Sequence, residues 1–386
     1  MKKICFVTTI YLTYHCFLKK FAEFLHESGE YDVSLICDGD SVNKEDLQEY
    51  VHFYPVTMKR GVSLSGFSAI GEIKNILAEN QFDIVQYSTP NAAFYTSIAA
   101  KKANIPVRLY CQWGIRYMGF EGWKRQLFKT LEKITCNNST FIEAESNNIR
   151  KFSLDEKLYT EDRSSVIWNG SASGVDLERY DLSKKEQWRA EVRKELDIAE
   201  DDIVFNFAGR MTADKGINEL LSAFLEIAKT NPKAKLLILG LLDNDGTVDD
   251  KLYSAARESK QVILPGSKED VERYYAASDI FVSPSYREGF GLVVVEAETM
   301  GLPAIVTNVP GQIDAILPDV TGLLCEAKDV ETLKIAMEKL LHNADLRDTM
   351  GKAAEKYART CYDQKKLFEK LMAHRTELVN GLSKGE

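Results

Sequence analysis

Short apolar, β-rich runs alternate with helical stretches along nearly all of this 386-residue chain, and they do so in two separate series. The first series takes 4–7, 33–37, 51–56, 84–87 and 107–110; helical patterns lie around 70–79 and 92–103, and Phe17, Phe21, Phe24 and Leu25 share one side of a helix over 17–25. The second takes 203–208, 236–239, 262–264, 280–282 and 304–306, again with helices between. Strands that are apolar throughout are those covered on both faces, so each series predicts a parallel sheet with helices on both sides. Between the series lies Trp168-Asn169-Gly170-Ser171-Ala172-Ser173-Gly174, a turn-forming cluster. The expected architecture is α/β: a doubly wound domain over 1–182, a second over 183–362, and a last helical stretch over 363–382. Two domains, each with its own core, also suit the length.

The chemistry concentrates in 279–303, DIFVSPSYREGFGLVVVEAETMGLP. A buried strand stops at Ser-Pro-Ser, a loop carries Glu288, Gly289, Phe290 and Gly291, and a helix begins at Leu292. Such a loop aims free backbone N–H groups and a positive helix end at one point, which suits a phosphate or diphosphate. Glu288 and Glu296 do not hold phosphate themselves; a ligand with a diphosphate centre and hydroxyl-rich ends would explain them, because carboxylates accept from sugar hydroxyls. The alternative is a loop carboxylate and a solvated helix residue. A second motif, Gly209-Arg210-Met211-Thr212-Ala213-Asp214-Lys215-Gly216, also ends a strand, and Arg210 and Lys215 together offset two negative charges.

The Glu288-Gly289-Phe290-Gly291-Leu292-Val293-Val294-Val295-Glu296 stretch, with Gly209-Arg210, Lys215-Gly216 and the Asn169-Gly170 turn, resembles glycosyltransferase family 4. That resemblance implies the GT-B architecture, two Rossmann-like domains facing across a cleft with the 363–382 helix packed back on the first, and transfer from a nucleotide-sugar with retention of anomeric configuration. It assigns Arg210 and Lys215 to the diphosphate, with the N–H groups of Phe290, Gly291 and Leu292; Glu288 to the sugar; Glu296 to the ribose; and the Pro265-Gly266-Ser267 turn to the base. A UDP-linked hexose or N-acetylhexosamine is the expected donor. The acceptor implied is a glycan on undecaprenyl diphosphate, in bacterial capsule or O-antigen synthesis at the inner face of the plasma membrane. The family's usual His after a late N-terminal strand is absent, since the segment reads Tyr110-Cys111-Gln112-Trp113-Gly114. Gln112 or the Trp113 backbone would then contact the donor instead, and both are also acceptor candidates with Tyr11, His15 and Arg116; a lone His at a helix start is also commonly structural.

No metal or other cofactor is expected. Asp38-Gly39-Asp40 and Asp243-Asn244-Asp245 imitate a metal-holding Asp-x-Asp, but acidic turns are common at strand ends, and Arg210 and Lys215 already bring the positive charge. A net charge of −9 argues against nucleic acid as a partner. Seven scattered cysteines favour reduced thiols in the cytosol. Met-Lys-Lys opens a first strand rather than a signal, and no apolar run reaches the roughly 18–20 residues of a membrane span. One window is basic: 101–135 holds eight Lys or Arg against two Glu. There Arg125, Lys129 and Lys133 align on one helical face with Lys124 beside them, while Trp123, Leu127, Leu131 and Ile134 share another. Either this helix rests on an anionic membrane or it simply packs on the sheet. Two rival functions remain at this level, a GT-B phosphorylase and a sugar-nucleotide-binding protein without turnover.

Overall fold

The computed structural model describes residues 1–42, 45–58, 65–243 and 246–382, and forms two compact units, Met1–Ser173 with Lys365–Glu386, and Gly174–Gln364. In the first unit the strands are β1 (Lys2–Val7), β2 (Tyr31–Cys37), β3 (His52–Pro55), β4 (Ile84–Tyr87), β5 (Val107–Gln112), β6 (Phe141–Ala144) and β7 (Ser164–Ser165), in the order β3-β2-β1-β4-β5-β6-β7. Every pairing is parallel. Alternate residues of one strand go to opposite cores: Cys5 and Val7 join one with Val85 and Tyr87, Ile4 and Phe6 the other with Val33 and Leu35. The pleat therefore explains why these strands are apolar at successive positions.

The C-terminal helix, Gln364–Leu382, belongs to this unit because Leu367, Phe368 and Leu371 are buried with Phe21. It also brings in a charge. Arg375 is 1% exposed; its Nη2 donates to Glu143 Oε1 at 3.0 Å and to Gln86 Oε1 at 2.9 Å.

The second unit contains β8 (Ile203–Ala208), β9 (Ala234–Leu239), β10 (Val262–Gly266), β11 (Ile280–Ser283), β12 (Ala304–Thr307) and β13 (Gly322–Cys325), all parallel, in the order β10-β9-β8-β11-β12-β13. Its cores lie on both faces of the sheet. The chain winds outward from β8 in one direction, then crosses back to β11 and winds in the other. The β8–β11 neighbours are thus the switch point of this sheet, where doubly wound folds bind ligands.

The division falls at Ser173/Gly174, earlier than the expected end of the first domain at 182. The reason is hydrogen bonding: Val175 N donates to Tyr362 O at 2.7 Å and Gln364 N to Val175 O at 3.0 Å, and Tyr180 stacks on Tyr275. Strands β6, β7 and β13 were not anticipated. β6 carries Glu143 and β7 spans two serines, which no apolar run reveals.

Candidate active site

The site in the second unit is built by two loops leaving adjacent strands. Ile280 of β11 pairs with Phe205 of β8, so the chain after Ala208 and the chain after Ser283 emerge side by side. Tyr286 N donates to Asp214 O at 2.9 Å, which joins the loops. Closer still, Gly216 takes φ +73°, and a Cβ there would lie 2.1 Å from Pro284 O. Only glycine permits that approach.

This apposition brings Lys215 Nζ to 2.6 Å from Glu288 Oε1. Arg210, on the first loop, extends a side chain that is 64% exposed and pairs with Asp243 Oδ2 at 2.7 Å. Asn244 and Asp245 of that acidic triplet lie outside the described residues. Arg287, which sequence reasoning passed over, reaches Asp214 Oδ2 at 2.9 Å. Burial raises the Asp214 carboxyl, but a hydrogen bond from Thr212 and the charges of Arg287, Lys215 and Arg210 outweigh it and hold it below the ordinary carboxylate value. Arg210, Lys215 and Arg287 thus form one cationic group around Asp214.

Gly291 caps the helix Leu292–Thr299. Among the described residues nothing accepts from the backbone N–H groups of Gly289, Phe290, Gly291 or Leu292, and the first turn of a helix leaves such donors unpaired. The Phe290 side chain is core, 5.1 Å from the Tyr362 ring, so only its backbone is available. A buttress that the sequence did not reveal sits behind this loop. Buried Gln312 donates to the Ser283 hydroxyl at 2.7 Å and accepts from Thr307 at 3.0 Å. Next to it, Gly311 at φ +89° presses against the loop, a Cβ there falling 2.4 Å from Glu288 O.

Glu296 lies one helical turn and more beyond Glu288, among Arg179, Tyr180 and Glu272. Burial pushes its carboxyl up to about 7, against the pull of Arg179 and Tyr180. Arg179 itself holds Glu272 at 2.8 Å and the Glu269 carbonyl, tying this carboxylate to the turn after β10 where exposed Ser267 stands.

In the first unit the expected residues fare differently. The Tyr11 hydroxyl, at 3.1 Å, and His15 Nδ1, at 2.5 Å, both meet Asp46, which Lys19 also contacts. Gln112 requires correction: it is fully buried, donating to Glu132 at 2.7 Å and accepting from Ser153 and Tyr159 at 3.0 Å, so its side chain is used inside the unit. Trp113 packs on Phe17 with 5.4 Å between rings. Arg116 stacks on Phe128 at 4.7 Å. The basic helix spans Gly122–Asn138. Arg125 and Lys129 turn inward and share Glu156 at 2.9 and 2.5 Å, whereas Trp123, Leu127 and Ile134 are exposed along with Lys124 and Lys133. Asp38, of the other acidic triplet, caps its own turn by accepting from Asp40 N at 3.1 Å.

Two parallel α/β units, one with a cationic loop pair and a free helix start at its switch point, form a scaffold suited to an anionic ligand, and known proteins share it. The family description "Glycosyl transferase 4-like" matches residues 3–146, and "Glycosyl transferases group 1" matches residues 189–357. The capsular polysaccharide biosynthesis glycosyltransferase CapM of Staphylococcus aureus is 29% identical over 350 residues, 90% of each chain. An Escherichia coli UDP-Gal:alpha-D-GlcNAc-diphosphoundecaprenol alpha-1,3-galactosyltransferase is 27% identical over 323 residues, 81% of this chain and 80% of that one. Among solved structures, sucrose-phosphate synthase from Thermosynechococcus elongatus superposes with a TM-score of 0.81 at 17% identity over 99% of this chain and 100% of that one. Anabaena HepE, in complex with UDP and glucose, does so at 0.79 and 17% over 97% and 100%. The fold is GT-B, and the chain belongs to glycosyltransferase family 4.

Proposed function

We propose that this enzyme transfers a hexose or N-acetylhexosamine from a UDP-sugar, with retention of configuration, to a saccharide carried on undecaprenyl diphosphate in bacterial surface-polysaccharide synthesis. The observation that carries the reading is the Lys215–Glu288 pair at 2.6 Å beside the open N–H groups of the Leu292–Thr299 helix. A diphosphate entering there takes Lys215, Arg210 and the N–H groups of Phe290, Gly291 and Leu292, while Glu288 accepts from sugar hydroxyls and Glu296 from the ribose. Glu288, Arg210 and Lys215 are the catalytic residues in this scheme: fixed positive charge stabilises the departing diphosphate, and the sugar is held in place. Metal is not required, because those cations supply the charge. The E. coli relative, named for a UDP-sugar donor and a diphosphoundecaprenol acceptor, supports the choice of both substrates.

Measuring UDP release from several UDP-sugars, with and without lipid-linked acceptor and with EDTA, tests this. Acceptor-stimulated release that survives EDTA is expected. Release of sugar 1-phosphate dependent on inorganic phosphate would make it a phosphorylase, and tight binding without turnover a sensor.

Donor affinity is expected to depend on pH. Glu296 accepts ribose hydroxyls best as a carboxylate, and its folded value is raised to about 7, so the charged form is lost as pH falls through neutrality. UDP affinity by calorimetry should weaken from about pH 8 to about pH 6, and Glu296→Gln should flatten that slope. An unchanged slope in the variant would remove Glu296 from the ribose site.

The membrane surface is assigned to the exposed stripe of the Gly122–Asn138 helix, with an anionic bilayer as its partner. No described helix is long and apolar enough to cross a membrane. Trp123, 72% exposed, and Leu127, 46% exposed, would enter the interface between Lys124 and Lys133. Trp123→Ala with Leu127→Ala should reduce co-sedimentation with anionic vesicles more than charge reversal at Arg125, which Glu156 already neutralises. The reverse ranking, or no vesicle binding by wild type, would sink the assignment.

A further inference from the structure

The sheet of the first unit has a switch point of its own: the chain winds outward from β1 to β3, then returns to β4 beside β1 and winds the other way. The segments leaving these two strands are joined, because the Thr9 and Thr89 hydroxyls share a hydrogen bond at 2.9 Å. Thr89 takes φ +63°, a strained value for a β-branched residue and of the kind that gathers at functional sites. Next to it, the Ser88 hydroxyl is buried with no partner among the described residues. The helix Tyr11–Phe17 follows β1 after Thr8, Thr9 and Ile10, and carries His15, whose side chain is 45% exposed. Its Nδ1 lies 2.5 Å from Asp46 Oδ2, and among the described residues nothing bonds Nε2. Asp46 also accepts from the Tyr11 hydroxyl at 3.1 Å and from Lys19. The Lys19 hydrogen bond foremost, with those of His15 and Tyr11, outweighs burial and holds the Asp46 carboxyl below its ordinary value. A carboxylate only accepts, so the proton of the His15 contact is on Nδ1, and in the neutral ring Nε2 is left as an acceptor. The 38–48 loop has other ties to this part of the chain: Tyr11 N donates to Ser41 Oγ at 2.8 Å and the Tyr14 hydroxyl to Gln48 Oε1 at 3.0 Å. An exposed pair adds little to stability. What Asp46 gives the exposed ring is a fixed direction for Nε2.

We infer that His15 binds the saccharide of the acceptor, its Nε2 accepting from a sugar hydroxyl, and that Asp46 positions the ring for that contact. A nitrogen lone pair takes a hydroxyl donor and offers nothing to a phosphate, so the contact recognises the sugar and not a diphosphate carrier. The inference rests on the proposed transfer to a saccharide, and holds whatever carries that saccharide.

The test separates the two ring nitrogens in the full chain. His15→Asn sets an amide nitrogen near the place of Nδ1, keeping a donor for Asp46 and losing the outer acceptor, whereas His15→Gln sets an amide near the place of Nε2. At saturating UDP-sugar, His15→Asn is expected to raise KM for a short-chain lipid-diphosphate N-acetylglucosamine at least about ten-fold, more than it lowers kcat. His15→Gln should recover part of that loss, and both should keep the melting temperature and UDP affinity of wild type. A ring that only staples the loop gives the reverse, wild-type KM in His15→Asn and a lower melting temperature in His15→Gln, and that result overturns the inference. NMR of the imidazoles adds a signal that needs no turnover. In the UDP-saturated wild type, the His15 resonances, identified by their loss in His15→Asn, should shift with the lipid-linked saccharide and with a methyl glycoside of N-acetylglucosamine, but not with an isoprenyl diphosphate lacking sugar. Asp46→Ala should raise the same KM and move the His15 ring towards its other tautomer while UDP affinity holds; an unchanged tautomer and KM would remove its positioning role. No shift with either saccharide, or an equal shift with the sugar-free diphosphate, would overturn the saccharide contact. A shift with the methyl glycoside, in a wild type that transfers to no lipid-linked acceptor, would uphold His15 and reject the proposed reaction.

Discussion

Replacing Lys215 by alanine is expected to lower kcat/KM for the UDP-sugar by about 10²–10³, the loss typical of removing one preorganised donor from a developing charge. Two effects act together. The departing diphosphate loses a cation, and Glu288, now 2.6 Å from no ammonium, presents an uncompensated carboxylate to the same anion. Because the Lys215 side chain is 26% exposed, the fold should tolerate the change with little shift in melting temperature. Lys215→Arg should recover only part of the activity, since a planar fork does not reproduce the geometry of a compact ammonium. Initial rates of UDP release, read beside a thermal melt, decide the matter; activity within about three-fold of wild type would remove Lys215 from the diphosphate.

The largest expected effect on stability is at Arg375. Arg375→Met leaves Glu143 buried and without its guanidinium, a change that usually costs about 3–5 kcal/mol. The first unit should then melt roughly 6–20 °C lower. Adding Glu143→Leu should restore much of the loss, because no charge is left to desolvate. The pair also sets a pH dependence. Burial alone would raise Glu143, but Arg375 and His374 outweigh it and hold the carboxyl at about 2, below its ordinary 4.5. A depressed carboxylate contributes stability that is complete above the ordinary value and disappears as pH falls towards the folded one. Melts across that acid range should therefore show a slope in wild type that is much reduced in Arg375→Met. If the single variant melts with wild type, the buried pair contributes nothing net.

The two predictions differ in how far the sequence anticipated them. Lys215 and Glu288 were visible because each stands next to glycines that end a strand, and strand, glycine turn and helix are signals within a dozen residues. Arg375 was invisible: nothing in Leu371 to Leu378 marks one arginine as buried, and its partner Glu143 lies in a strand that its own polarity disguised. Gln312 and Glu132 escaped for the same reason, as polar side chains whose burial depends on partners distant in sequence, Ser283 and Thr307 for the first and Tyr110 and Gln112 for the second. Helical periodicity placed Trp123, Leu127 and Ile134 on one face correctly but could not say which way that face points. Glu156, on another element, settles it by drawing Arg125 and Lys129 inward.

The sequence by itself determined the two parallel α/β units and the loops carrying Arg210, Lys215 and Glu288, because apolar runs and glycine turns are local and each strand end must place its own loop at the same edge of the sheet. Only the tertiary structure decided that Lys215 meets Glu288 and that Gln112 is buried rather than available. Pairings of charge and hydrogen bond depend on which distant segments a fold brings within about 3 Å, and the pattern of a single chain does not encode that distance.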